Sequence, residues 1–398
     1  MGVATMRRSF SFADRERSIY QYLDFEVDSG SFSVTLDYPD DGVTIFDLGM
    51  VGPDRFRGWS GGERRHVSIT EEWATPGYLP GTVSGHWQVV LGLYRVPVEP
   101  VEVVVTVDDR HIERPPDPAP IPVPERPPGR DLPTDDDTIW LRGDLHSHTV
   151  HSDGKLEIDA LLAHAVSRGL DFVAVTDHNT VSHHPYLEEA GNRMGMVAIP
   201  GQEVTTDVGH ANCLGEIPWV DFREPADTWR ETAEENGGLM SVNHPWAGHV
   251  AWRKPLSQPA TLVEMWHHTW DRVFRLPFEE WQLFGRVPVG GSDFHRPGDQ
   301  PLGDPTTWVE VNEPTVAGLL DGLGVGRVCI GANPSSPLVY ARGDELVVVD
   351  GEGCELVDAE GRRSLVKEEI NTVRAPGGAV HLYEGEKVVS FTPGTRGA

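Results

Sequence analysis

Residues Ile139 to Thr149 read IWLRGDLHSHT, and both the fold and the chemistry of the chain turn on this stretch. It reads as a short strand that ends in His146 and His148, two residues apart. Side chains two apart on an extended segment leave the same face, so the two imidazoles can chelate one cation. An HxH pair alone says little, but the plan returns along the chain. TDH (Thr176 to His178), GQEV (Gly201 to Val204), GHANCLG (Gly209 to Gly215), NHP (Asn243 to Pro245) and SDFH (Ser292 to His295) each follow a strand-like run and present a potential ligand. Thirteen of the 17 histidines lie between Asp144 and His295, where even scattering would place roughly six or seven. A shared polynuclear metal site accounts for the excess.

Around these motifs the chain alternates strand, loop and helix. IWLRGDLH is followed by EIDALLAHAVSRG, in which Leu161, Leu162, Ala165 and Val166 share one helical face. DFVAVTDH, MVAIPGQEV, HANCLGE, GLMSVNHP, LVEMWHH and VPVGGSDFH continue the series. Seven such strands predict an α/β fold with a mostly parallel, closed or nearly closed sheet whose functional groups gather at the C-terminal strand ends. Upstream, SFSVTLDY, VTIFDLGM, WQVVLGLYRV and VEVVVTV alternate apolar and polar residues between Gly, Pro and Asp, the pattern of an antiparallel β-sandwich without a helix. Between them ERPPDPAPIPVPERPPGRDLP is too rich in proline for a ladder and reads as an extended spacer. The expected division is a sandwich over 1–112, a linker over 113–136, a metallohydrolase barrel over 137–331 and a small β region over 332–398.

Composition narrows the function. Cys213, Cys329 and Cys354 form no CxxC pair, which argues against a disulfide framework or thiolate zinc and fits a reducing cytoplasm. No apolar run of about 18 residues occurs, so neither membrane insertion nor a secretory leader is expected. A formal charge of −29 repels nucleic-acid backbone and disfavours a nucleic-acid scaffold role.

The series DLHSHT, HSDG, TDH, GQEV, NHP and SDFH resembles the metal-binding motifs of the PHP (polymerase and histidinol phosphatase) superfamily, over about residues 138–330. GWSGGERR and TPGYLPGTVSGHWQVVLGLY resemble the β domain that precedes the barrel in its CehA/McbA-type metallohydrolase branch. The resemblance implies a distorted (β/α)7 barrel with two or three divalent ions. One would be held by His146, His148, Glu203 and Asp293, a second by Glu203, His210 and His244, and a third by Asp153, His178 and His295. Imidazole and carboxylate without thiolate suit Zn, Mn or Fe.

Such ions lower the pKa of a bridging water and polarise an electrophile, so hydrolysis by a metal-bridged hydroxide is the expected reaction. A small phosphorylated ester is the expected substrate, with carboxyl ester or carbamate cleavage and a catalytically inactive interaction module as alternatives. Asp177 is expected to orient a neighbouring ligand, and His268 to meet substrate or to form a polar rim with His267. Lys155, Arg168, Arg253, Lys254 and above all Arg296 could clamp a phosphoryl group. Glu264 reads as an acceptor behind a ligand or as a buried ion-pair partner. His151, His164, His183, His184 and His249 carry no motif and read as surface or capping residues, and Trp246, Trp252, Trp266 and Trp270 as pocket lining or core.

Overall fold

The computed structural model describes residues 3–394 apart from 111, 117, 131, 135–136, 271–275 and 376. The chain forms two compact units. One runs to Pro120 and takes in Thr149–Gly154 and Asp177–Pro185; the other comprises Ile121–His148, Lys155–Thr176 and Tyr186 onward.

In the first unit, eight strands build two four-stranded antiparallel sheets: β1 (Val3–Phe10), β2 (Tyr20–Val27), β3 (Ser31–Asp37), β4 (Ile45–Val51), β5 (Phe56–Gly61), β6 (His66–Thr70), β7 (Gly85–Arg95) and β8 (Val101–Asp108). Their orders are β1-β8-β3-β6 and β2-β7-β4-β5. Alternation along each strand sends Val34, Leu36, Val103 and Val105 from one sheet and Phe46, Leu48, Val89 and Leu91 from the other into one core. The Phe32 and Trp87 rings meet there edge to face at 4.6 Å. A six-residue helix, Phe12–Arg17, interrupts the β pattern where none was expected. Ser11 caps it, with Asp14 accepting from both the backbone N–H and the hydroxyl of Ser11.

The second unit contains the seven expected strands in one continuous run: β9 (Ile139–Asp144), β10 (Phe172–Val175), β11 (Val197–Thr206), β12 (Gly209–Leu214), β13 (Leu239–Val242), β14 (Ala260–Trp266) and β15 (Gly285–Gly290). Neighbours pair parallel, except that β12 lies antiparallel to both β11 and β13. Beyond their ends the first and seventh strands are joined by a parallel bridge, Ser147 to Phe294. The helix Ile158–Ser167 buries Leu161, Leu162, Ala165 and Val166 almost completely, as their spacing predicts. Burying each of the larger aliphatic side chains contributes roughly 1.5–3 kcal/mol relative to exposure.

The sheet does not stop at β9. β16 (Thr306–Val311) pairs antiparallel with it, then β17 (Val328–Gly331), and then the C-terminal strands Lys387–Thr392 and Val380–Glu384. The C-terminal β region is thus hydrogen-bonded into the sheet that carries the motifs. The described part of the Pro-rich stretch has neither helix nor strand, as expected, while 117, 131 and 135–136 lie outside the described residues. Its C-terminal part is nevertheless held in place. Arg126 donates to the carbonyl of Gly195 and pairs with Asp171 at 3.2 Å, Arg130 donates to the carbonyl of Ser336, and Leu132 is buried with Trp308 and Tyr340. Side-chain clamps replace the ladder that proline forbids.

Candidate metal centre

The last residue of β9, Asp144, is fully buried and accepts from three backbone N–H groups, those of His146 (3.1 Å), Ser292 (3.0 Å) and Gly303 (2.7 Å). Burial pushes its carboxyl up to about 6 against those hydrogen bonds. One side chain thus ties DLHSHT to the loop after β15. Close packing completes the junction: a Cβ on Gly291 would sit 2.3 Å from Glu264 Oε1 and 2.7 Å from the His146 Cβ.

Glu203, fully buried on β11, stands at the centre of the site. Its Oε1 lies 3.3 Å from His146 Nε2, 3.2 Å from His210 Nδ1 and 3.5 Å from His244 Nε2, and its Oε2 lies 3.7 Å from His148 Nε2. Asn243 of the NHP motif donates to Oε1 at 2.9 Å and fixes the carboxylate. Asp293 lies 3.2 Å from His146 Nε2 and 3.0 Å from His148 Nε2. Ligand atoms of His146, His148 and Glu203 fall within 4.8 Å of one another, as do those of Glu203, His210 and His244. The same holds for His146, His244 and Asp293, and for His267, His268 and Asp293. His267 Nε2 lies 3.5 Å from Asp293 Oδ2, which brings this residue to the ligand cluster.

These side chains fit divalent cations on two observations. First, His146 donates from Nδ1 to Glu264 Oε1 at 2.9 Å, which places the Nε2 lone pair on the inner side. That Nε2 is buried and has no hydrogen-bond partner among the described residues, as is true of His244 Nδ1 and His267 Nε2. Burying unpartnered imidazole nitrogens beside carboxylates is costly unless something else occupies the lone pairs. Secondly, two of the ligand candidates adopt left-handed backbone conformations, His244 at φ 27° and Asp293 at φ 55°. For non-glycine residues such geometry costs of order 1–3 kcal/mol and gathers at functional sites. Electrostatics agree: burial pushes the Asp293 carboxyl up, but His146, His148 and His267 together hold it well below the usual carboxylate range. Glu264 also accepts from the His244 backbone N–H at 2.8 Å, so one carboxylate behind the site orients two ligand candidates.

Asp153 and His178 belong to the first unit, 3.5 Å apart. In the second unit the His295 ring stacks on His148 at 4.3 Å, and its Nδ1 donates to the Asp293 carbonyl at 2.8 Å. Asp177 is fully buried and accepts from Thr149 N–H (2.9 Å), Thr149 Oγ1 (2.6 Å) and Ser152 Oγ (2.6 Å), the contacts of a loop brace. Arg296 is exposed and pairs with Asp299 at 3.3 Å. Three other candidate clamps are engaged elsewhere: Arg168 with Asp304, Arg253 with the His249 and Asp207 carbonyls, and Lys254 over the Trp229 ring. His268 is exposed, its ring 3.9 Å from that of His267.

The expected surface or capping role fails for two histidines. His151 and His183 are buried, His151 Nδ1 bonding Ser182 Oγ at 2.7 Å and His183 Nδ1 lying 3.4 Å from Asp177 Oδ2. Sequence spacing carried no sign of this: His151 and Ser182 stand in different loops, and His183 meets Asp177 six residues back in a loop without periodicity. His183→Ala therefore should not be silent. We expect it to lower stability by about 1–3 kcal/mol, the cost of removing a buried polar partner, and a denaturation midpoint equal to wild type would contradict the packing.

Parts of the chain are similar to known proteins. The 5'-3' exoribonuclease Rnm of Salmonella typhimurium is 42% identical over 65 residues, 16% of this chain and 22% of that one. The phosphoribosyl 1,2-cyclic phosphate 1,2-diphosphodiesterase of Eggerthella lenta is 36% identical over 62 residues, again 16% of this chain and 24% of that one. The chain thus spans about a quarter or less of these relatives. A crystal structure of a two-domain protein containing a predicted PHP-like metal-dependent phosphoesterase from Bacteroides vulgatus ATCC 8482 aligns with TM-score 0.45 at 17% identity, over 68% of this chain and all of that one. Residues 144–275, from the end of β9 past β14, match the PHP domain, so the chain carries a PHP-like α/β fold with additional β-rich sheets.

Proposed function

We propose that the protein is a metal-dependent phosphoesterase of the CehA/McbA-type branch, its seven strands forming the distorted barrel of that superfamily. The observation that carries the reading is Glu203, a buried carboxylate with imidazoles facing both oxygens. That is the placement of a group shared between two ions. One ion would be held by His146, His148, Glu203 and Asp293, and another by Glu203, His210 and His244. Asp153 and His178 remain the candidates for a third. Bound divalent ions would supply Lewis acidity and a water of lowered pKa.

The residues of the chain do the rest. Glu264 holds His146 and His244 in place, Asn243 holds Glu203, and Asp177 fixes the Thr149–Ser152 loop. His268, exposed beside His267, is assigned to contact with the substrate. Arg296 would have to leave Asp299 to touch a phosphoryl group, and it receives no role. The two relatives named above cut phosphoester bonds by their names, which favours phosphorus over carbonyl carbon.

Metal analysis combined with a hydrolysis screen tests the reading. Protein reconstituted with Zn, Mn or Fe should hold at least two divalent ions per chain, lose activity to a chelator and regain it on adding metal back. The screen sets phosphomonoesters, phosphodiesters, a short RNA, carboxyl esters and carbamates side by side. Less than one ion per chain after reconstitution would refute the site; turnover of carbamates or carboxyl esters alone would move the chemistry to carbon.

A further inference from the structure

A cavity of about 500 Å³ opens beside the centre, lined by His267 and His268 together with Trp266, Trp270, Val388 and Lys387. A phosphoryl group fills only a small part of such a volume, which lies in the range that holds a whole organic ligand. His267, which lines the cavity, has its Nε2 3.5 Å from Asp293 Oδ2. The Trp266 and Trp270 rings stack at 4.3 Å and 23°, and Phe278 braces Trp270 edge-on at 4.9 Å. This gives a rigid aromatic surface. The C-terminal region contributes Glu386, Lys387 and Val388 to the lining, and Asp304 adds a second carboxylate.

We propose that this cavity is the leaving-group pocket, that it takes a flat organic group of aryl size, and that the C-terminal hairpin Val380–Glu384/Lys387–Thr392 sets its size limit. The proposal rests on the phosphoesterase reading, and it gives the C-terminal region a specificity role. Val388 and Lys387 are the specificity-determining positions, because they line the pocket and belong to none of the ligand groups around Glu203 and Asp293.

The test compares 1-naphthyl phosphate with methyl phosphate on metal-reconstituted wild type and Val388→Trp. The bulkier side chain should lower kcat/KM for the naphthyl ester at least about tenfold, on the scale by which apolar pockets discriminate size, and leave methyl phosphate within twofold (about experimental scatter). If Val388→Trp does not fold, Lys387→Trp places the same bulk at an exposed position in the same lining. Binding of 2-naphthol, followed by its own fluorescence, reads the pocket without catalysis. A protein that turns over no phosphoester, yet binds 2-naphthol and loses that binding in the variant, keeps the pocket and rejects the reaction. Equal loss for both esters, no loss for either, or naphthol binding indifferent to the substitution overturns the pocket.

Discussion

Glu203→Gln should lower kcat/KM by at least about a thousandfold, since several kcal/mol of charge stabilisation depend on the ions it holds and each 1.36 kcal/mol is tenfold. The substitution keeps the size of the side chain and the acceptor that Asn243 reaches at 2.9 Å. It removes the negative charge that faces His146, His210 and His244. The fold should survive, because in the absence of metal the strand β11 keeps its ladder with β10 and β12. Metal content is the deciding measurement. A purely structural glutamate would lower stability and leave the ion count at two or more, whereas a bridging one loses metal while circular dichroism stays native. Full activity in Glu203→Gln would remove the centre from consideration.

The parts of this site that could be read from the sequence are those in which one strand end supplies its own chemistry. His146 and His148 follow β9, Glu203 stands on β11, His210 on β12, His244 just after β13 and Asp293 just after β15. Most were visible as a short apolar run closing on a ligand, whereas His210 stands near the start of its strand, which runs antiparallel to both neighbours. What lies behind the ligands was less visible, because hydrogen bonds between distant strands leave no periodicity. Asp144 reaches Ser292 and Gly303, and Glu264 reaches back to His146 across 118 residues. Both are printed inside or beside the quoted motifs, so the signal was present, but their direction was not. The same holds for the C-terminal strands. A small β region is legible there, while its partner in the sheet is fixed only by the register of Ile330 and Gly331 against Phe391 and Ser390.

The first unit shows what the two N-terminal stretches GWSGGERR and TPGYLPG are for, and it leads to the second large effect. Arg64 donates to the carbonyls of Val150 and of Ser152, the latter at 2.8 Å, directly before Asp153. The Gly77 N–H donates to Ser182 Oγ at 3.0 Å, and the Gly77 carbonyl accepts from Thr180 Oγ1 at 2.9 Å, just after His178. The β-rich part of the first unit therefore grips both loops that carry the candidates for a third ion. Gly77 cannot be replaced cheaply: its φ is +98°, and a Cβ would lie 2.7 Å from the His151 carbonyl oxygen and 3.1 Å from that of Trp59. Both obstacles are backbone, so neither can swing aside. Gly77→Ala should cost about 2–4 kcal/mol, the sum of a disfavoured backbone region and a forced displacement, read as a lowered midpoint in urea. If the grip positions Asp153 and His178, the variant should also lose one divalent ion per chain while retaining those bound near Glu203, and Arg64→Ala should show the same metal loss with a smaller stability change. A variant with unaltered metal content and a lowered midpoint would confine that part of the unit to a structural role.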